Sequence, residues 1–260
     1  MKISRPLLTR PIRQQLTVDQ GSRQLVLYQY DGECLFKYTT DGDRFEFPEV
    51  VHAGVQMDLL AGRGNTVAFS TFDKRVFLFD GAWTSKKLAA QPSMLQFFGS
   101  QLHVSAGGQI FNYSELNVIL KQNDFELVKQ QDEFFITKTN SLIKNDQFFT
   151  NRQVLDVQVD AEHIVAFQLG AAARFKRQSQ GEYGFKTDVE EIPLDFVYSC
   201  SAVTADGSLF IGSACGRVFK TTFAMQDCQL VFEGGSGVSQ IFQSGEQVYV
   251  LDVQGDVYRL

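Results

Sequence analysis

The polar and apolar positions of this chain repeat one pattern. An apolar start, a short polar or glycine step, an alternating apolar run, a turn and a second run recur seven times. The clearest copy runs from Val238 through Ile241-Phe242 to Val248-Tyr249-Val250-Leu251, turns at Gln254-Gly255 and ends in Val257-Tyr258. Copies begin near Leu16, Met57, Leu95, Leu127, Val154, Pro193 and Val238, spaced 27 to 45 residues apart. Such spacing suits one three- or four-stranded unit per copy.

Within the copies one column returns. It reads Gly21-Ser22-Arg23-Gln24-Leu25-Val26-Leu27, Gly62-Arg63-Gly64-Asn65-Thr66-Val67-Ala68-Phe69, Asp160-Ala161-Glu162-His163-Ile164-Val165-Ala166-Phe167 and Ser244-Gly245-Glu246-Gln247-Val248-Tyr249-Val250-Leu251. A turn follows at Asp31-Gly32, Asp73-Lys74, Gly170 and Gly255, and Asp206-Gly207 takes that part in the sixth copy. Asp-Gly between alternating runs marks a hairpin. A third strand then follows at Cys34–Tyr38, Val76–Phe79, Ile110–Tyr113, Ala173–Lys176, Val218–Lys220 and Val257–Tyr258. The period is two, which is that of strands. Only Glu115–Lys121 could form a helical turn or two, and it reads equally well as an outer strand.

The pattern predicts an all-β chain: a single β-propeller over residues 1–260, with seven blades of three to four antiparallel strands. The last copy stops after its third strand, and an open sheet edge invites mispairing. Residues 1–12, through Lys2–Thr9, are therefore expected to supply the closing outer strand. Pro6 is tolerable on such an edge.

Composition narrows the function classes. With 260 residues, 44% of them hydrophobic, the chain can bury a sizeable core. A net charge of −6 argues against a surface built to neutralise phosphates, so no direct nucleic-acid partner is expected. The start, Met1–Pro6, is read as carrying no secretory signal, and no apolar run reaches membrane-spanning length, so no membrane insertion is expected. Cys34, Cys200, Cys215 and Cys228 form no CxxC pair, which suggests a reducing cytoplasmic or nuclear setting.

The column Gly-x-x-His followed by three apolar residues, then Asp-Gly and a Val-Tyr strand, resembles the repeat of the regulator-of-chromosome-condensation family of propellers. Val154 to Phe167 matches best, with Glu49 to Phe69 and Val238 to Tyr258 behind it, and the resemblance covers most of the chain. The family's Trp-Gly is replaced here by Phe79-Asp80-Gly81, Lys37-Tyr38 or Lys220-Thr221, and only Gln180–Gly184 echoes its Gly-Gln-Leu-Gly. The Gly-His and Trp-Asp dipeptides of WD repeats are absent. The resemblance implies a partner subunit, similar to the propeller that accompanies the small zinc protein of diphthamide synthesis and tRNA wobble modification. It also implies, as an alternative, nucleotide exchange or regulation on a small GTPase.

No cluster of residues announces a reaction. His163 shares its column with Gln24, Asn65 and Gln247, and interchangeable polar residues suggest hydrogen bonding rather than proton transfer. His52 is read in a loop and His103 in a strand, neither with ligand-spaced partners, so no metal or cofactor is expected. Gly234-Gly235-Ser236-Gly237 and Ala106-Gly107-Gly108 precede no helix and are read as blade turns rather than phosphate cradles. The first partner-binding candidate is Trp83, read in a blade-to-blade loop beside Lys86 and Lys87. The second is Arg174, Lys176 and Arg177, read on an outer strand or its exit. The expected function is a non-enzymatic interaction scaffold, monomeric within a hetero-complex. A channel-sited hydrolase or sugar-binding propeller is the third reading.

Overall fold

Alternating sequence becomes antiparallel sheet throughout a computed structural model, which describes residues 14–18, 26–41, 44–45, 48–121, 127–131, 134–137, 140–144, 147–150, 153–176 and 189–260. Among these residues there are seven sheets and no helix. The expected closing strand, residues 1–12, lies outside the described residues. The chain divides into two compact units, whose described residues fall on either side of the Gln130–Gln131 bond.

The first unit holds three sheets. One comprises β1 (Gln14–Val18), β2 (Val26–Tyr30), β3 (Cys34–Asp41), β4 (Arg44–Phe45) and β5 (Glu49–Ala53), with both β4 and β5 paired to β3. The next is β6 (Met57–Arg63), β7 (Thr66–Thr71), β8 (Arg75–Phe79) and β9 (Trp83–Lys87). The third is β10 (Pro92–Phe98), β11 (Gln101–Ala106), β12 (Gln109–Asn112) and β13 (Val118–Lys121), so the segment that could have been helical is an outer strand.

At the boundary in sequence stands β14 (Leu127–Gln131). The second unit then continues with β15 (Phe134–Thr137), β16 (Leu142–Lys144) and β17 (Gln147–Thr150). Next come β18 (Asp156–Val159), β19 (His163–Gln168), β20 (Ala171–Lys176) and β21 (Val189–Pro193). They are followed by β22 (Tyr198–Val203), β23 (Leu209–Ser213), β24 (Arg217–Thr221) and β25 (Gln229–Glu233). The last sheet is β26 (Val238–Ser244), β27 (Gln247–Asp252) and β28 (Val257–Arg259).

The sixth copy needs correction. Pro193 ends an outer strand, and the next sheet begins at Tyr198. Asp206-Gly207 accordingly joins the first strand of that sheet to the second, whereas the turn between second and third strands is Ala214-Cys215-Gly216. Both sites carry a tight turn with a positive-φ glycine, so turn chemistry alone could not rank them.

The core lies between successive sheets and is fed from both faces of the second strands β7, β19 and β23. Along β19, Ile164 and Ala166 pack with Leu142, Val154 and Val157, while Val165 and Phe167 pack with Tyr198, Leu209 and Ile211. Along β23, Leu209 and Ile211 face back toward Phe167, and Phe210 faces forward to Val238, Ile241 and Val250. In the first unit, Val67 and Phe69 of β7 join Tyr28, Tyr30 and Leu35, and Ala68 joins Leu102, Val104 and Tyr113. A strand covered on both faces needs an uninterrupted apolar run. That is why these three strands read VAF, IVAF and LFI.

Backbone contact is closest in the second unit where the β23–β24 turn meets the β25–β26 connection. A Cβ on Gly216 (φ +89°) would lie 2.6 Å from Ser236 O and 2.9 Å from Gly234 O, and one on Gly237 would lie 2.6 Å from Ala214 O. Only glycine allows that approach.

Turn carboxylates hold the hairpins. Asp206 accepts from Thr204 Oγ1 at 2.5 Å and from Ser208 N at 3.1 Å, and the Thr204 hydroxyl is the main reason its carboxyl is held down to about 2. Asp73 is lowered in the same way, first by Thr71 Oγ1.

Two outcomes are expected. Phe167→Ala removes a fully buried ring stacked on Tyr198 and should cost about 3–5 kcal/mol in urea unfolding, whereas exposed Leu169→Asp should stay within about 0.5 kcal/mol. Carboxyl NMR titration should place Asp206 near 2, and Thr204→Val should return it toward the ordinary 3.8. Because the folded value is the lower one, the stabilisation is complete above about 3.8 and is lost as pH falls toward 2.

Candidate interaction surface

The structure places the first set of candidate residues on a strand. Trp83 opens β9 rather than sitting in a loop, because Asp80-Gly81 forms a tight hairpin (Gly81 φ 77°, Asp80 N donating to Ala82 O at 3.3 Å) that pairs Trp83 with Phe79. Its ring is half-buried against His52, Phe69 and Phe79, at centroid distances of 5.0, 5.5 and 5.2 Å. His52 is likewise on a strand, β5, not in a loop. The Asp80-Gly81 dipeptide is the sequence signal for this hairpin.

Lys86 is committed within the first unit. Its Nζ donates to Tyr113 O (2.6 Å) and Ser114 O (2.7 Å) and sits 4.9 Å above the Tyr113 ring. This ties β9 to the end of β12, so the charge does not stand ready for a partner. Lys87 stays exposed at the end of β9.

The second set also moves. Arg174 lies on the third strand, β20, and not on the outer one, which is β21. Its guanidinium donates to Ala224 O at 2.5 Å and pairs with Glu190, its register partner on β21. Lys176 is exposed at the end of β20, and Arg177 lies outside the described residues. The two candidate sets belong to different units, and each has its most buried cation spent on an internal contact.

Sequence reasoning missed a different surface on the second unit. In an antiparallel meander the first strand starts, and the second-to-third turn lies, at the same end of the sheet. At that end Leu155, Leu169, Val197 and Val253 are exposed by 38%, 76%, 50% and 63%. Leu169 and Val253 occupy equivalent turns, each directly after the last residue of a second strand, and Leu155 and Val197 lie just ahead of a first strand. Phe72 holds the same turn position in the first unit, 65% exposed.

The backbone beneath this surface is fixed. Leu155 N donates to Phe167 O (2.8 Å), Val253 N to Gly237 O (2.8 Å), and Ala214 N to Val197 O (2.9 Å). Immediately inside lies a buried polar network that joins the starts of β18 and β22. Asp156 Oδ2 accepts from Tyr198 Oη at 2.6 Å and Ser201 Oγ at 2.9 Å, while Asp156 Oδ1 accepts from Val157 N at 2.7 Å. Gln158 Nε2 completes it by donating to Ser201 Oγ at 3.0 Å. Burial first, and then the Asp156 carboxylate beside it, push the Tyr198 hydroxyl well above its ordinary value. Both carboxylate oxygens of Asp156 are engaged, so the network works as a staple between the starts of β18 and β22.

Other candidate chemistry stays apart. His163 caps its hairpin: its backbone N donates to Asp160 Oδ1 at 2.5 Å, and its ring Nδ1 lies 3.7 Å from the same oxygen. Cys34 and Cys200 are half-buried, Cys215 and Cys228 are exposed, and none of the four is in a disulfide. Among the described residues, no three His, Cys, Asp or Glu side chains converge as a metal site would need.

No family model and no curated protein matches the chain. Solved structures do. The structure of YCF48 bound to D1 peptide is similar over 99% of both chains, with a TM-score of 0.69 and 13% identity. The WD40 β-propeller domain of Doa1 matches 100% of this chain and 97% of its own, with a TM-score of 0.67 and 12% identity. The Neurospora crassa Pan2 WD40 domain matches 96% of this chain and 88% of its own, with a TM-score of 0.66 and 11% identity. At such identities the likeness is one of fold: the chain is a β-propeller. It does not extend to the regulator-of-chromosome-condensation family in particular.

The staple has a measurable consequence. Asp156→Ala removes the acceptor shared by the Tyr198 and Ser201 hydroxyls, leaves them only their mutual bond at 3.0 Å, and should cost about 1–3 kcal/mol by urea unfolding. Tyr198 keeps its proton above the ordinary 10.0, so its contribution is complete below that pH and is lost as pH rises through the higher folded value.

Proposed function

We propose that this propeller is a non-enzymatic interaction scaffold, a subunit or adaptor of a larger complex, and that it docks a protein partner on the apolar end of its second unit. The observation that carries this reading is the repetition of exposed aliphatic side chains at Leu155, Leu169, Val197 and Val253, the first, third and fourth on hydrogen-bonded backbone. Exposed apolar groups gathered on one side mark interaction sites, and a rigid backbone lowers the ordering cost of binding. Similarity to propellers adds support, since one such neighbour is solved with a peptide bound.

The finer reading rests on the repeat column alone. It makes the chain a partner subunit similar to the propeller that works beside a small zinc protein; the cytoplasmic or nuclear setting rests instead on the spacing of the four cysteines. Nucleotide exchange on a small GTPase has the same warrant and no feature of the apolar end favours it, because one fold hosts many functions.

The test is recovery of the tagged full chain from its own cells, as wild type and as the Leu169→Asp/Val253→Asp variant. A stoichiometric protein partner should accompany the wild type, and the variant should bind it about 30-fold more weakly in a purified titration. A partner held equally by both proteins, or a wild-type chain recovered alone, would overturn the reading. Labelled GDP should leave a panel of small GTPases no faster in the presence of the chain.

A further inference from the structure

A second surface, within the first unit, is concave and not apolar. A cleft of about 510 Å³ opens between the β6–β7 turn, the end of β8, the β10–β11 turn and the end of β12. That volume lies in the range of sites that enclose a small ligand. Its apolar wall includes Leu78, Phe97 and Leu102.

Three polar groups define what could bind. Arg63, at the end of β6, is exposed and has no ion-pair partner among the described residues. Asp80 faces the same cleft and receives only the Thr66 hydroxyl, at 3.3 Å. Asn112 is 7% exposed, and its Oδ1 accepts from Ser114 N (3.0 Å) and Ser114 Oγ (2.7 Å). Its Nδ2 therefore has a fixed direction and donates to nothing among the described residues. The residue is nine-tenths buried while this donor opens to the cleft, so the donor is presented to whatever occupies that space.

The chemistry selects among ligands. A lone guanidinium offset by a carboxylate disfavours a phosphate or other polyanion. A sugar would favour an exposed aromatic plane, and neither aromatic of the cleft offers one: Tyr113 is 2% exposed with its hydroxyl donated to Val76 O, and Phe97 is half-buried against the core of Ala68 and Leu102. An extended peptide offers what remains: carbonyls for Asn112 Nδ2, amides for Asp80, a carboxylate for Arg63, and a side chain for the apolar wall.

We infer that this cleft binds a short extended peptide segment bearing a carboxylate, at a site separate from the apolar end. The inference shares with the scaffold reading only the class of ligand, and it uses different residues.

The test pans a random linear peptide display library on the full chain. Enriched peptides are then synthesised and titrated by calorimetry against wild type, Arg63→Gln, Asn112→Asp and Leu169→Asp. Asn112→Asp keeps the acceptor for Ser114 and replaces the free donor with a charged acceptor, which opposes a ligand carbonyl or carboxylate at that point. Arg63→Gln alters an exposed, unpaired side chain, so it stays folded whatever the fate of the other variant. Enriched peptides should share an acidic residue or a free carboxyl terminus. Their affinity should fall about tenfold with Arg63→Gln and with Asn112→Asp, and should be unchanged with Leu169→Asp. Equal binding by wild type and both cleft variants would overturn the inference, as would a library that yields no binder. Binding lost only with Leu169→Asp would also overturn it while upholding docking at the apolar end. Glycan-array binding abolished by Asn112→Asp would replace the peptide with a sugar.

Discussion

The second strands β7, β19 and β23 have no face of their own to give to water, and the architecture depends on that. In β7, β19 and β23 successive side chains point to opposite sides, and each side belongs to a different intersheet core. Ile164 and Val165 are neighbours in sequence, yet they stabilise different interfaces. A register slip of one residue would exchange the two sets, placing Phe167 where Ala166 fits. Double-sided burial thus specifies strand identity, spacing and neighbour together. It also explains the mixture of sizes: small residues such as Ala68, Ala166 and Ala173 alternate with Phe69 and Phe167 and let the facing layers interlock.

Several polar groups drawn into this packing are answered from a neighbouring sheet. Tyr28 donates to Gly64 O at 2.9 Å and Tyr113 to Val76 O at 3.1 Å, so both tyrosines reach from one sheet to the next. Lys86 does the same with an ammonium group, while Asp156 of one first strand collects two hydroxyl donors from the next. These contacts repeat one solution with different chemistry. A long or polar side chain crosses the intersheet gap and satisfies a backbone or carboxylate oxygen that packing has removed from solvent.

Function then falls to what the packing leaves over, namely the sheet ends. In the second unit one end shows aliphatic side chains on fixed turns above the Asp156 network. In the first unit a mixed cleft presents an unspent amide, a free guanidinium and a weakly engaged carboxylate. The first surface suits a broad apolar partner and the second a narrow polar one. Both consist of turn residues, whose identity the core does not dictate.

How much of this was legible from the residues follows from the same physics. Strand periodicity, glycine-marked turns and the third strands at Cys34, Val76, Ile110, Ala173, Val218 and Val257 were readable, because burial on two faces imposes a local code of alternation and punctuation. The sixth sheet was misphased because Asp206-Gly207 and Cys215-Gly216 both satisfy turn chemistry. Trp83 and Arg174 were misplaced because a strand's rank in its sheet depends on partners distant in sequence. The candidate surfaces were harder still. Leu169 and Val253 look like ordinary strand-end aliphatics until antiparallel pairing brings them to one end, and Asn112 looks like any turn residue until packing buries it and Ser114 takes its oxygen. Local sequence encodes which backbone conformation each segment prefers. Only long-range packing decides which side chains it leaves uncovered, because exposure is a property of the neighbours and not of the residue.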